Sequence, residues 1–92
     1  MMNIMRNRGL ETALVALGYY EGKTRGSMFR GYGSLVWGHT VTVTNPKEGW
    51  VTIVEHEWSY DCDGNMVKDD TDCVTLRIAE ALTRLVQVKW RY

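Results

Sequence analysis

The residues of this sequence with the clearest chemical potential are two histidines and the glutamates beside one of them. Glu55, His56 and Glu57 are consecutive, and histidine and carboxylate side chains are the usual general acids and bases of enzymes. The surrounding residues alternate like a β-strand, so His56 points away from the face that holds the two glutamates. His39 has no Ser, Cys or Asp next to it with which to form a nucleophile pair. The sequence therefore predicts no catalytic residue and no enzyme activity.

An acidic segment offers a second kind of chemistry, metal binding. In DCDGNMVKDDTD, residues 61–72, Asp61 and Asp63 stand at the first and third positions of a calcium-binding loop. Met66 replaces the glycine on which the sharp turn of such a loop depends, and Asp72 replaces its bidentate glutamate. Asp-Gly at 63–64 is instead typical of a hairpin turn. We expect a turn here, with no metal and no cofactor.

The cysteines indicate the cellular compartment. Cys62 and Cys73 do not have the spacing of a zinc-binding pair, and a secreted domain of 92 residues would usually contain four or more cysteines. The N-terminal stretch lacks the apolar centre of a signal peptide, and no run approaches the roughly 20 apolar residues of a membrane span. These features predict free thiols, a cytoplasmic location and no membrane partner.

The segment RGYGSLVW, residues 30–37, suggests nucleic-acid binding. Its order of basic residue, Gly, aromatic residue and Gly is similar to the aromatic octapeptide of RNA-recognition motifs, with Ser34 where one base-stacking ring would stand. The resemblance implies that bases stack on this segment. Nearby cations extend the candidate site for nucleic acid or for a protein partner, which comprises Lys23, Arg25, Phe29, Arg30 and Tyr32.

Periodicity predicts the first half of the fold. The apolar spacing of LETALVAL predicts a helix over Arg8 to Leu17, ended by Gly18. From Leu35 onward the period becomes two, which places Leu35, Trp37, Val41 and Val43 on one face of a strand. The turn NPKEG then predicts a hairpin with a long strand over residues 50–60.

The last third is predicted to contain a second helix and a final strand. Asp70 or Thr71 is a suitable N-cap for a helix that extends to Leu85. Val86 to Tyr92 alternate, which predicts a strand that returns to the sheet. We therefore expect one α+β domain over residues 1–92, with two helices and an antiparallel sheet of three to four strands in the order α-β-β-(β)-α-β.

Charge is unevenly distributed along the chain. The net charge is zero, but residues 55–72 contain seven acidic residues and one lysine, or −6, whereas residues 1–34 and 73–92 each carry +3. Such a chain can present acidic and basic faces to different partners. The predicted acidic surface comprises Asp61, Asp63, Asp69, Asp70 and Asp72. Ten aromatic rings are also more than so small a domain can bury, which indicates an interface.

Small size, lack of a catalytic motif and a surface divided into acidic and aromatic-basic regions resemble small phage-encoded inhibitors, anti-CRISPR proteins among them. The resemblance implies a non-enzymatic protein in the cytoplasm of the host cell. It would block a nucleic-acid-handling complex by docking on that complex's protein surface, its guide RNA or both. Two alternatives remain: a single-stranded RNA- or DNA-binding module that uses RGYGSLVW, and an accessory protein that forms a homodimer.

Overall fold

The computed structural model describes residues 7–90, which form two helices and five strands. In chain order these are α1 (Arg8–Ala16), β1 (Tyr20–Glu21), β2 (Ser27–Gly33), β3 (Trp37–Lys47), β4 (Trp50–Tyr60), β5 (Met66–Arg77) and α2 (Ile78–Val86). Each strand pairs antiparallel with the next, so the sheet order is β1-β2-β3-β4-β5. The α+β class is confirmed, but five strands replace the three to four predicted, and all of them lie between the two helices.

Helix α1 forms where its apolar period predicts. The Asn7 side chain accepts a hydrogen bond from the Leu10 N–H at 2.8 Å, which caps the first turn. Gly18 ends the helix with φ +93°, a left-handed conformation that favours glycine. Leu10 and Leu14 are fully buried, so this helix contributes one face to the core.

The β3–β4 hairpin is also confirmed. Gly49, with φ +85°, closes the turn between the strands, and Val43 pairs with Ile53. Val41 and Val43 are buried. The prediction that Leu35 lies on the same face is wrong. Leu35 is in the turn between β2 and β3, where it is 96% exposed.

The predicted start of the second helix is wrong. Residues 66–77 form β5, which pairs with β4 along its whole length, and α2 begins only at Ile78. Neither Asp70 nor Thr71 therefore caps a helix. The backbone of this segment hydrogen-bonds to β4, from Arg77 opposite Trp50 to Met66 opposite Tyr60, in place of forming the first turns of a helix. Asp69, Asp70 and Asp72 interrupt the apolar residues of β5, so the apolar pattern does not show its period of two.

The predicted C-terminal strand is wrong as well. Val86 is the last residue of α2, and Gln87 caps it. The next three residues have no regular structure, although Val88 and Trp90 pack against the core. Arg91 and Tyr92, the rest of the predicted strand, lie outside the described residues.

Both helices cover the same face of the sheet, which we call the helix face; the other is the open face. One apolar cluster joins them to the strands, and it comprises Leu10, Leu14, Tyr19, Met28, Val41, Val43, Val51, Ile53, Ala81 and Leu85. Within residues 7–90, neither helix has the length and apolar character needed to cross a membrane.

Candidate binding surface

The distal halves of β4 and β5, with the turn between them, form a structure that we call the acidic arm (residues 55–72). Its seven acidic residues are Glu55, Glu57, Asp61, Asp63, Asp69, Asp70 and Asp72, and Lys68 is its one basic residue apart from histidine. The apolar residues of β4 and β5 that contact the core lie outside the arm, at Val51, Ile53, Val74 and Leu76. The arm thus extends beyond the part of the sheet that the core stabilises.

Two pairs of like charges face each other across the arm. Glu55 is the register partner of Asp72, and Glu57 is the partner of Asp70. Alternation places all four on the helix face. Like charges directly opposite on neighbouring strands destabilise a sheet. These facing charges therefore lower the stability of the fold, and the packing of the arm gives no reason for them to be there.

Internal ion pairs offset this cost only in part. Arg84 contacts Asp72 at 2.5 Å, and Lys68 lies 3.6 Å from Glu57. These two pairs are at least partly exposed to solvent, and such pairs contribute at most about 1 kcal/mol each. Glu55 forms a third pair, with Nε2 of His39 at 2.6 Å. Asp63 and Asp70 have no ion-pair partner within residues 7–90. The arm remains an acidic surface after every internal pair is formed.

Two other carboxylates of the arm have local partners. Oδ1 of Asp61 accepts hydrogen bonds from the N–H groups of Asp63 and Asn65, each at 2.9 Å, and Gly64 adopts φ +84°. Asp61 thus shapes the β4–β5 turn, as the Asp-Gly signal predicts. On the open face, Asp69 lies 2.7 Å from Nε2 of His56.

The outer edge of β5 adds backbone groups to this surface. β5 is the last strand of the sheet and is 12 residues long, so its outer N–H and C=O groups have no strand beside them among the described residues. Proteins commonly place charges on such edges to prevent self-association. Two copies paired antiparallel edge to edge, with the pair centred on the acidic residues, would bring Asp69, Asp70 and Asp72 close to the same residues of the second copy. The charges on this edge therefore oppose its pairing with the same edge of a second copy.

The predicted aromatic-basic site is distributed over both faces of β2. Arg30 lies on the helix face, where Nη1 donates to the Leu17 carbonyl at 2.9 Å and the guanidinium lies 4.4 Å from the centre of the Trp90 ring. Tyr32 is on the same face, 4.9 Å from the ring of Trp37. Phe29 lies on the open face with Tyr20. Arg30 and Tyr32 thus do not share a surface with Phe29.

The remaining two residues of that site lie in the turn between β1 and β2. Lys23 and Arg25 are both exposed there. Lys23 lines a groove of about 380 Å³ together with the rings of Tyr20 and Phe29, which meet edge to face at 5.5 Å. The structure therefore brings Lys23 and Phe29 to one groove.

Packing explains the glycines around RGYG. A β-carbon at position 31 would lie 2.7 Å from Cγ2 of Thr40 and 2.8 Å from Cζ of Phe29. At Gly38 it would overlap the indole ring of Trp58, which lies across the sheet at this point. These glycines let large rings lie flat on the open face. They need no bound nucleic acid to account for them.

Sequence reasoning missed one cluster, formed by His39, Glu55 and Glu57. Their ligand atoms all lie within 4.8 Å of one another on the helix face. The three residues come from two strands, so local spacing does not reveal them. The signal was the hairpin register, since His39 pairs with Glu57 and alternation brings Glu55 to the same face.

Cys62 and Cys73 are free, as expected, and both are exposed. Comparison of the chain with protein-family models, with curated proteins and with solved structures gives no match. The geometry of the surface is therefore the basis for assigning a function.

Proposed function

We propose that this chain is a small non-enzymatic inhibitor of the phage-encoded, anti-CRISPR type, which docks its acidic arm on a basic protein surface of a nucleic-acid-handling complex. The observation that supports this proposal is the uncompensated acidity of the arm. Glu55 faces Asp72 and Glu57 faces Asp70, while Asp63 and Asp70 have no ion pair within residues 7–90. A cationic partner would relieve the repulsion that the isolated fold retains.

The geometry of a strand suits this role. Residues on one face of a β-strand recur about every 6 to 7 Å, so Asp70 and Asp72 present charge as a regular row. Surfaces that hold nucleic acid bind such rows of negative charge with Lys and Arg. The arm would occupy the surface as a competitor of the phosphate backbone. Long-range attraction would also accelerate association with the complex at low salt.

Single-stranded nucleic acid is a second candidate ligand, favoured by the groove that Tyr20, Lys23 and Phe29 line on the open face. A base could stack on one of these rings while Lys23 contacts a phosphate. Against this, Arg30 is bound to Leu17 and Trp90, and the arm carries −6. An inhibitor that docks on protein is therefore the stronger proposal.

The test uses purified CRISPR effector complexes loaded with guide RNA. Binding to each complex and cleavage of its target DNA are measured with the wild-type protein and with Asp63→Lys/Asp70→Lys. We expect one complex to be bound and inhibited, and the double variant to bind it about tenfold more weakly or worse. Glu48→Lys is the matched control, because Glu48 lies in the turn at the opposite end of the hairpin and is exposed.

The control variant should retain binding within about twofold, because its charge lies beyond the screening length from the arm. Binding to bare single-stranded RNA is measured as well, because it tests the alternative function. Submicromolar binding to RNA alone, lost in Phe29→Ala and unchanged in Asp63→Lys/Asp70→Lys, would replace the inhibitor with the nucleic-acid-binding module. Self-association through β5 in sedimentation would support the dimeric accessory protein instead.

A further inference from the structure

The cluster of His39, Glu55 and Glu57 has the composition of a metal site. His39 comes from β3 and the two glutamates from β4, and Nε2 of His39 lies 2.6 Å from Oε2 of Glu55. The ligand atoms of all three lie within 4.8 Å of one another, so small side-chain rotations bring them around one ion. One imidazole and two carboxylates can supply three protein ligands and leave further positions for water.

The histidine is held rigidly, whereas the carboxylates are open to solvent. His39 is 1% exposed, and the centre of its ring lies 4.5 Å from that of Trp90. The side chains of Glu55 and Glu57 are 26% and 31% exposed. An ion can therefore reach the carboxylates from solvent and meet an imidazole whose orientation is already fixed. Such pre-organisation of a ligand reduces the cost of binding.

His39 is itself difficult to explain as a purely structural residue. Its Nδ1 is buried and has no hydrogen-bond partner among residues 7–90. A buried polar atom without a partner costs free energy, so a well-packed apolar side chain would suit the fold better here. The imidazole nevertheless directs its other nitrogen at a carboxylate. A buried imidazole whose Nε2 points at Glu55 and whose Nδ1 lacks a partner is an observation separate from the number of acidic residues around it.

The surrounding charge also favours a cation. Asp70 lies opposite Glu57 on the same face, and the one ion pair that Glu57 forms within residues 7–90 is with Lys68, 3.6 Å away. The Lys68 side chain is 41% exposed, so it can leave the carboxylate when an ion arrives. Asp70 would then act as an outer negative charge that strengthens binding without touching the ion.

We propose that His39, Glu55 and Glu57 bind one divalent transition-metal ion of the zinc class. Imidazole nitrogen selects zinc and its neighbours in the first transition row, whereas magnesium and calcium prefer oxygen ligands alone. This proposal does not depend on the inhibitor function, because an ion at this site is a property of the isolated chain.

Titration of the purified protein with zinc chloride, followed by calorimetry, tests the site. The protein carries Cys62→Ser and Cys73→Ser, so that thiols do not bind the metal. We expect saturable 1:1 binding of zinc and binding of magnesium at least about a hundredfold weaker. Absence of saturable zinc binding up to about 1 mM would overturn the proposal.

Two isosteric variants distinguish ligation from simple charge attraction. Glu57→Gln and Asp70→Asn each remove one negative charge from the same face of neighbouring strands. If Glu57 is a ligand, its variant should bind zinc about tenfold or more weakly, whereas Asp70→Asn should change affinity by less than about threefold. Equal weakening in both would overturn the proposal, because it would indicate diffuse attraction.

The two histidines provide the last control. Zinc should shift the NMR signals of the His39 ring and leave those of His56 unchanged; this measurement needs no His39 variant and does not depend on how such a variant folds. His56→Gln should retain full zinc affinity, although His56 also has a carboxylate, Asp69, at 2.7 Å. A shift confined to His56, or loss of zinc binding in His56→Gln, would move the site to the open face and contradict the assignment.

Discussion

Facing residues of neighbouring strands are apolar in one part of this sheet and carry like charges in another. Near the helices, Val43 pairs with Ile53 and Ile53 with Val74. In the acidic arm, the equivalent positions pair Glu57 with Asp70. Burial of each aliphatic side chain in the first region stabilises the fold by about 1.5 to 3 kcal/mol. The charged pairs in the second region contribute nothing comparable and oppose one another.

This difference indicates that the two regions of the sheet contribute unequally to stability. The region under the helices supplies most of the free energy of folding, and that surplus allows the arm to retain like charges that face each other. Functional sites often depart from the pattern that stability alone would select. Substitutions should therefore have large effects on stability near the helices and small effects in the arm.

The largest loss of stability is expected from Leu14→Ala. Leu14 is fully buried where α1 meets the sheet, and its truncation should leave a cavity that lowers the free energy of unfolding by about 2 to 5 kcal/mol. Val15→Ala is the control, because Val15 is the next residue and is 58% exposed. Denaturant unfolding of both variants measures the difference. Similar effects for the two would mean that α1 does not contribute to the core as described.

A smaller loss is expected from Gly38→Ala, on β3 opposite Trp58 of the acidic arm. The added methyl group overlaps the Trp58 ring, so this side chain must move. We expect the free energy of unfolding to fall by about 1 to 3 kcal/mol. The effect should largely vanish in a Trp58→Ala background, as a double-mutant cycle would reveal. An equal loss with and without Trp58 would contradict this packing.

The sequence was most informative where local chemistry and the fold agree. The apolar period, the N-cap and Gly18 all specify α1, and NPKEG specifies the β3–β4 hairpin. It was least informative for β5. Consecutive acidic residues suit a helix N-terminus, whereas the pairing with β4 that makes them part of a strand is not visible in the local pattern.

The candidate site was predicted only in part, because its geometry also depends on how the strands pair. The acidity of residues 55–72 is visible in composition, whereas the facing of Glu57 and Asp70 depends on the register of a strand that was not predicted. The cluster around His39 likewise requires the register of β3 with β4. Arg30 illustrates the converse, because a residue that looks like a nucleic-acid contact in the sequence is bound to Leu17 and Trp90.

The smallest expected effect concerns the acidic arm, and it tests most directly whether its carboxylates serve a partner rather than the fold. The free energy of unfolding of Asp63→Asn/Asp70→Asn is measured at low salt against the wild-type protein. Neither residue has an ion pair within residues 7–90, and Asp70 faces Glu57. We predict an increase of about 0.5 kcal/mol, because repulsion across the strands is removed. A decrease of about 1 kcal/mol or more would show that these carboxylates stabilise the fold and would contradict their assignment to a binding surface.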